Sequence, residues 1–142
     1  MNETPKILIV EDQYFVAADC ELHLNAAGYE CVGCATTAAS AIELAERERP
    51  DFIIMDIHLA QDSDGVEAAI GIYERLGIRC LFASAHADDL VRKAAARAHP
   101  LGWLDKPYTS EELLKSTLDC IAQLSVESAL AGPQDVAASV VH

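Results

Sequence analysis

The sequence predicts a single three-layer α/β domain with a parallel sheet, and three observations support this prediction. The chain has 142 residues, which is about the length of one domain. Short runs of branched apolar residues alternate along it with stretches whose apolar residues recur at helical spacing. Because these runs are apolar on both faces, they are typical of strands that helices cover on both sides.

Five candidate strands follow one another in chain order. The three most apolar runs span residues 7–10, 52–55 and 80–83, and two weaker runs span residues 29–34 and 101–104. Since a helical stretch follows each run, we expect parallel strands joined by crossover helices.

The five helical stretches each present an apolar face, which we expect to pack on the sheet. The first face consists of Phe15, Ala18, Leu22 and Ala26, before Gly28. The next three consist of Ala38, Ala41, Ile42 and Ala45, of Val66, Ala69, Ile70, Tyr73 and Leu76, and of Val91, Ala94, Ala95 and Ala98. The fifth consists of Leu114, Leu118, Ile121 and Leu124, and opens with Thr109 and Glu112 at capping-box spacing.

The end of the chain differs from the rest in composition. After Val126 it contains Gly132-Pro133 among small residues, which is typical of a loose terminus. We therefore expect a domain over residues 1–125 and a flexible C-terminal tail over residues 126–142. Because few residues follow the fifth helix, we expect no second, output domain.

The composition indicates which kinds of partner the protein is expected not to bind. Hydrophobic residues make up 51% and charged residues 23%, as in folded soluble proteins. The formal net charge of -13 argues against binding to a nucleic-acid backbone, which needs a basic surface. No apolar run is long enough for a transmembrane helix and no signal peptide is visible, so we expect a cytoplasmic protein that does not bind membranes.

The five cysteines include one pair at Cys-x-x-Cys spacing, Cys31 and Cys34. On a regular strand, residues three apart point to opposite faces, which suits neither a redox pair nor a shared metal. An odd number of cysteines without a secretory signal also argues against a disulfide framework. We expect these thiols to be buried small hydrophobic groups.

Polar residues stand just past the ends of four candidate strands. They are Glu11-Asp12 after the first, Asp56 after the third, Ser84 after the fourth and Lys106-Pro107 after the fifth. In an open α/β sheet, sites form outside the carboxyl ends of the strands. These residues are therefore expected to converge on one rim.

The chemistry of this set indicates a phosphoryl-acceptor site. Three carboxylates held together repel one another unless a cation joins them, and Mg²⁺ prefers hard oxygen ligands. An aspartate beside a divalent ion can attack phosphorus and form an aspartyl phosphate. Lys106 and Ser84 would then contribute a positive charge and a hydroxyl donor to the phosphoryl oxygens.

With these residues, the sequence resembles the receiver domains of bacterial two-component response regulators. Asp64-Gly65 at the start of the third helix also fits, and the resemblance covers about residues 5–124. The segment Phe82-Ala83-Ser84-Ala85-His86 is similar to the Phe-Ala-Thr-Gly-aromatic variety of alphaproteobacterial receivers. The resemblance implies a doubly wound, flavodoxin-like (βα)5 fold with strand order 2-1-3-4-5.

The resemblance also implies a role for each site residue. Asp56 is the phospho-acceptor, and Mg²⁺ is held by Glu11, Asp12, Asp56 and the backbone carbonyl of His58. Ser84 follows the phosphoryl group as a switch residue, and Lys106 contacts it. The Lys106–Pro107 bond is cis, and Trp103 falls where receivers carry a switch aromatic.

The function that follows is a stand-alone response regulator. It would take a phosphoryl group from a histidine kinase or a histidine phosphotransfer protein, and then bind a protein target or relay the phosphate. Alternatives are a phosphate sink, a module cut from a multidomain regulator, and an interaction module that is never phosphorylated. We expect a monomer or weak homodimer that is not an enzyme, apart from catalysing its own phosphorylation and dephosphorylation.

Two further alternatives concern particular residues. A haloacid-dehalogenase-type phosphatase also uses a strand-end aspartate, but it needs a second aspartate where His58 stands. The basic residues Arg92, Lys93 and Arg97 of the fourth helix form either a partner surface or a solvated face. Because that helix is rich in alanine, we expect it to be weakly anchored, with an order that depends on phosphorylation.

Overall fold

The computed structural model describes the backbone of residues 4–141 and the side chains of residues 4–130. Five parallel strands form one sheet in the order β2-β1-β3-β4-β5, which confirms the predicted fold class. The strands are β1 (Lys6–Val10), β2 (Glu30–Ala35), β3 (Phe52–Asp56), β4 (Arg79–Ser84) and β5 (Gly102–Asp105). The α-helices are α1 (Tyr14–Ala26), α2 (Ala38–Glu48), α3 (Gly65–Leu76), α4 (Asp89–Ala95) and α5 (Ser110–Val141). Single 3-10 turns lie at Ala60–Asp62 and Ala96–Ala98.

The hydrophobic core consists of two layers, one on each face of the sheet. Helices α2, α3 and α4 cover one face, where Phe82 is fully buried, and helices α1 and α5 cover the other, where Phe52 is fully buried. Strand β3 is buried along its whole length, as expected for the centre of a parallel sheet. Among the helices described, none combines the length and the apolar character that a membrane crossing requires.

Helix α1 packs on the sheet through a different face from the predicted one. Its buried residues are Ala17, Cys20 and Leu24, whereas Phe15 is 83% exposed and Leu22 is 65% exposed. The prediction was wrong because this helix carries apolar residues on nearly every side, so that periodicity does not single out one face. An apolar face of α1 is consequently left in contact with solvent.

Helix α5 differs from its prediction in length and in part of its face, although the predicted residues Leu114, Ile121 and Leu124 do pack, partly buried, against the core. Its fully buried positions are Leu113, Thr117 and Cys120, and Leu118 is exposed. The predicted helix end near Val126 is wrong, because α5 continues to Val141. The domain boundary and the flexibility of residues 126–142 stay predictions, and Gly132-Pro133 belongs to the segment whose side chains lie outside the described residues.

The partly buried side chain of Arg79 contacts the part of α5 just past the expected helix end. Arg79, at the start of β4, donates from Nη1 to both carboxylate oxygens of Glu127, at 2.5 and 2.6 Å. Its Nη2 donates to Gln123 at 3.2 Å, and its Nε donates to the carbonyl of His99 at 2.6 Å. These charge-assisted contacts join the start of β4 to α5 at Gln123 and Glu127, and so support helical structure just past Val126.

The register of β2 against β1 skips one residue. Ile7 lies opposite Cys31, Leu8 opposite Gly33, and Ile9 opposite Cys34. The skip places Cys31 and Cys34 opposite two residues of β1 that share one face, so the expectation that they point apart was wrong. Cys34 is exposed rather than buried, with its Sγ 4.0 Å from a carboxylate oxygen of Glu21 on α1.

Candidate functional site

The carboxyl ends of four strands bring the predicted site residues to one rim of the sheet. Glu11 follows β1 and Asp56 ends β3, and these two strands pair in register from Ile7 to Val10. Ser84 ends β4, and Lys106 follows β5. Glu11, Asp56 and Ser84 are only 5%, 6% and 3% exposed, so three polar groups are buried at this end of the sheet.

Three carboxylates share a small volume. Glu11, Asp12 and Asp56 each offer an oxygen atom within 4.8 Å of the others, with Asp12 exposed to solvent. Lys106 Nζ donates to Glu11 Oε1 at 2.7 Å and to Asp56 Oδ2 at 3.3 Å. One ammonium thus faces three carboxylates, and the excess negative charge favours a bound cation.

Backbone N–H groups hold the remaining carboxylate oxygens. The N–H of Gln13 donates to Glu11 Oε2 at 3.1 Å, and the N–H of His58 donates to Asp56 Oδ1 at 3.3 Å. Each of the two buried carboxylates is therefore fixed in orientation by one lysine contact and one backbone contact.

The charges of the site are mutually dependent. Burial raises the pKa of Glu11, and the neighbouring charge of Asp56 raises it further, against the opposing hydrogen bonds from Lys106 and Gln13. Burial acts to lower the pKa of Lys106, but its hydrogen bond to Glu11 and the charge of Asp56 outweigh this, so the pKa is raised. Lys106 is consequently held in its charged form beside Asp56.

Helix α3 approaches Asp56 so closely that only glycine fits at its first position. A Cβ atom on Gly65 would lie 1.9 Å from the carbonyl oxygen of Asp56. The N–H of Gly65 donates to the carbonyl of Ile57 at 2.8 Å, and Asp64 caps the helix by accepting from the N–H of Val66 at 2.8 Å. Asp64 therefore caps the start of α3, and Gly65 allows that start to pack directly against the backbone of Asp56.

The loop between β3 and α3 is a small hairpin, which sequence reasoning missed. His58 forms an antiparallel bridge with Asp64, and the N–H of Leu59 donates to the carbonyl of Ser63 at 3.2 Å. Gln61 and Asp62 turn the chain with positive φ values of 62° and 55°. Because neither turn residue is glycine, the usual local signal for such a turn is lacking.

The other predicted residues lie as follows. The Lys106–Pro107 peptide bond is cis. Ser84 Oγ accepts from the N–H of His86 at 3.1 Å, at the start of the loop that leads to α4. Trp103 is partly buried and packs against the core cluster on the face of the sheet that α2, α3 and α4 cover. No described contact involves the carbonyl of His58, whose role as a ligand stays a prediction.

A cleft beside the carboxylates was also missed. It has a volume of about 440 Å³ and lies between the start of α1 and the loop after β5. Phe15, Lys106, Pro107 and Tyr108 are among the residues that line it. A signal was present in the sequence, since Tyr14 and Phe15 stand two and three residues after the acidic pair.

Comparisons with known proteins agree with this geometry. The family described as response regulator receiver domain matches residues 7–118. The transcriptional regulatory protein PdtaR of Mycobacterium tuberculosis is 31% identical over 128 residues, which cover 89% of this chain and 62% of that protein. The phyllosphere-induced regulator PhyR of Methylorubrum extorquens is 30% identical over 104 residues, which cover 72% of this chain and 38% of that protein. The chain thus spans less than two thirds of the length of these curated relatives.

A solved structure shows the same similarity. The signal receiver domain of a modulated diguanylate cyclase from Desulfovibrio desulfuricans G20 superposes with a TM-score of 0.79. It is 30% identical in sequence, and the superposition covers 88% of this chain and 99% of that one. The similarity therefore extends over most of this chain and nearly the whole of the other.

Proposed function

The chain belongs to the response regulator receiver domain family, and from that premise we propose that it accepts a phosphoryl group on Asp56. Receiver domains are signalling modules of two-component systems rather than typical enzymes. Membership of this family supports a receiver rather than the haloacid-dehalogenase-type phosphatase considered above.

The proposal rests mainly on the contacts that surround the Asp56 carboxylate. It is buried at the rim, contacts Lys106 through one oxygen and a backbone N–H through the other, and shares its space with two further carboxylates. In the proposed step, a carboxylate oxygen of Asp56 attacks the phosphorus of a phosphohistidine. A P–O bond forms, the P–N bond breaks, and the leaving imidazole takes up a proton.

We propose Mg²⁺ as the cation of the site, held by Glu11, Asp12, Asp56 and the backbone carbonyl of His58. The fit is supported by the donor set, since three carboxylates offer hard oxygen atoms within 4.8 Å of one another. When bound, Mg²⁺ supplies positive charge to the phosphoryl oxygens.

Lys106 and Ser84 are proposed to stabilise the phosphorylated state. Lys106 Nζ already lies 3.3 Å from Asp56 Oδ2, and a short movement of its flexible side chain would direct it to a phosphoryl oxygen. The hydroxyl of Ser84, at the end of the strand that pairs with β3, would donate to another. Both contacts add positive charge or a donor where the transferred group is most negative.

The proposed phosphoryl donor is a histidine kinase or a histidine phosphotransfer protein, and the proposed location is the cytoplasm. The exposed face of α1 supports docking of such a partner, because Tyr14 is 76% exposed and Phe15 83% exposed. Phe15 also lines the cleft that contains Lys106. After phosphorylation, the output is proposed to be binding to a protein target or transfer of the phosphate onward, without contact to nucleic acid.

The proposal is tested by intact mass after incubation with acetyl phosphate and Mg²⁺. We expect one added phosphoryl group, lost in Asp56→Asn and in the presence of a chelator. Asp62→Asn is the matched control, because it removes an exposed carboxylate from the same loop and should leave the mass increase unchanged. Addition of a phosphoryl group to folded Asp56→Asn protein would contradict the assignment of the acceptor.

A further inference from the structure

The single tryptophan of the chain is stacked between two side chains from different elements. Trp103 on β5 lies opposite Phe82 on β4, and their ring centroids are 4.8 Å apart with an interplanar angle of 23°. The guanidinium carbon of Arg92, from α4, lies 4.7 Å from the centroid of the Trp103 ring. The ring is therefore contacted both by a side chain of the sheet and by a side chain of α4.

Arg92 also contacts the loop that follows β4. Its Nε donates to the carbonyl of Ala87 at 3.3 Å. One residue earlier, the N–H of His86 donates to Ser84 Oγ at 3.1 Å. The side chain of Arg92 thus connects the loop that begins at Ser84 with the ring of Trp103.

The remaining anchors of α4 are small. The helix has only seven residues, of which Ala95 alone is buried, and the turn after it buries Ala98. Val91 is partly buried, and Leu90, the largest apolar residue of α4, is 78% exposed. A helix with so little buried side-chain surface depends strongly on each contact that it makes with the sheet.

We propose that Arg92 is a clamp that holds α4 on Trp103 in the unphosphorylated domain and is released when Asp56 is phosphorylated. The proposal rests on the function proposed above. When the Ser84 hydroxyl turns toward a phosphoryl oxygen, the N–H of His86 loses its acceptor and the loop shifts. The carbonyl of Ala87 then moves away from Arg92, and the guanidinium leaves the ring. Trp103 serves as a fixed platform, not as a rotating switch.

The sole tryptophan makes the clamp directly observable by fluorescence. In the unphosphorylated protein, Arg92→Met removes the guanidinium while keeping an unbranched chain, and should raise the acrylamide quenching constant of Trp103. On phosphorylation with acetyl phosphate and Mg²⁺, followed in parallel by intact mass, the wild-type constant should rise to the level of the variant. The variant should show no further change.

Two variants separate the clamp from a general charge effect. Arg92→Lys keeps the charge but loses the planar group and its Nε donor, so it should behave as Arg92→Met. Lys93→Met removes a neighbouring positive charge on the same helix and should retain the full wild-type response. Thermal melting of each variant verifies that it is folded.

The outcomes distinguish failure of the clamp from failure of the proposed function. A mass increase without a change in Trp103 quenching would overturn the clamp and leave the acceptor site intact. A wild-type response in Arg92→Met would also overturn it. Absence of any mass increase in the wild-type protein would refute the proposed function, and the clamp with it.

Discussion

Replacement of Gly65 by alanine tests whether the close packing of α3 against the backbone of Asp56 is required for stability and phosphorylation. The new Cβ would lie 1.9 Å from the carbonyl oxygen of Asp56, more than 1 Å short of the 3.0 Å below which real Cβ contacts essentially do not occur. It would also lie 2.9 Å from the carbonyl carbon of Asp56 and 3.0 Å from Cα of Ile57. All three atoms belong to the backbone, so no rotation of a side chain relieves the contact.

The helix and the loop must therefore separate by about the missing distance. Overpacking of this kind costs about 3 kcal/mol when the neighbour cannot yield. For a domain of this size, that loss lowers the melting temperature by about 9 °C. Because Asp56 itself is displaced, phosphorylation by acetyl phosphate should slow by about 100-fold.

Gly71 provides the matched control in the same helix. A Cβ at this position meets nothing within 4 Å of the described residues, and glycine inside a helix is less stable than alanine. Gly71→Ala should therefore raise the free energy of unfolding by about 0.8 kcal/mol and the melting temperature by about 2 °C. Both variants are compared by differential scanning calorimetry and by phosphorylation rate. A Gly65→Ala protein that melts at or above the wild-type temperature would refute the close-packing argument.

Three further predictions concern stability. The Thr117 hydroxyl is fully buried and meets no hydrogen-bond partner in the described part of the chain, so Thr117→Val should raise the free energy of unfolding by about 1 kcal/mol in urea titrations. A loss of stability would show that the hydroxyl is bonded. Burial raises the pKa of Cys20 and Cys120 from 9.0 to about 12, so the folded protein keeps protons that the unfolded chain releases. Stability should be full below about pH 9 and fall toward pH 12, by up to about 1.4 kcal/mol per pH unit for each thiol. A midpoint of unfolding in guanidinium chloride that stays constant between about pH 8 and about pH 10.5 would contradict this. Stability of the Cys120→Ala variant should fall less steeply with pH. Gln61 holds a φ of 62°, so Gln61→Gly should relieve about 1–2 kcal/mol of strain against about 0.5–1 kcal/mol of added chain entropy, and melt slightly higher. Gln61→Val should melt lower than wild type, and the reverse order would argue against strain at this turn.

The rim could be predicted because parallel strands align their carboxyl ends. Polar residues that follow parallel strands must lie at one edge of the sheet, and Glu11, Asp56 and Lys106 indeed meet there. The start of α5 could also be predicted from the sequence, since the capping box is a local pattern. Its expected hydrogen bonds are present, from the N–H of Glu112 to Thr109 Oγ1 at 3.1 Å and from the N–H of Thr109 to Glu112 Oε1 at 2.8 Å.

The features that sequence reasoning missed depend on distant partners or on weak local signals. The contact of Arg79 with Glu127, which supports α5 past Val126, joins residues 48 positions apart. The face of α1 was misassigned because Phe15 and Leu22 are as apolar as the residues that pack inward. The register skip in β2 depends on how that strand pairs with β1.

The skip in β2 has a consequence for the outer boundary of the sheet. Strand β2 is an edge strand, whose outward N–H and C=O groups could template the addition of a strand from another molecule. Omitting Val32 from the regular pairing bends the strand and interrupts the even spacing of those groups. An incoming strand would find no continuous ladder to follow, and so we expect this edge to resist the stacking that leads to aggregates in concentrated solution.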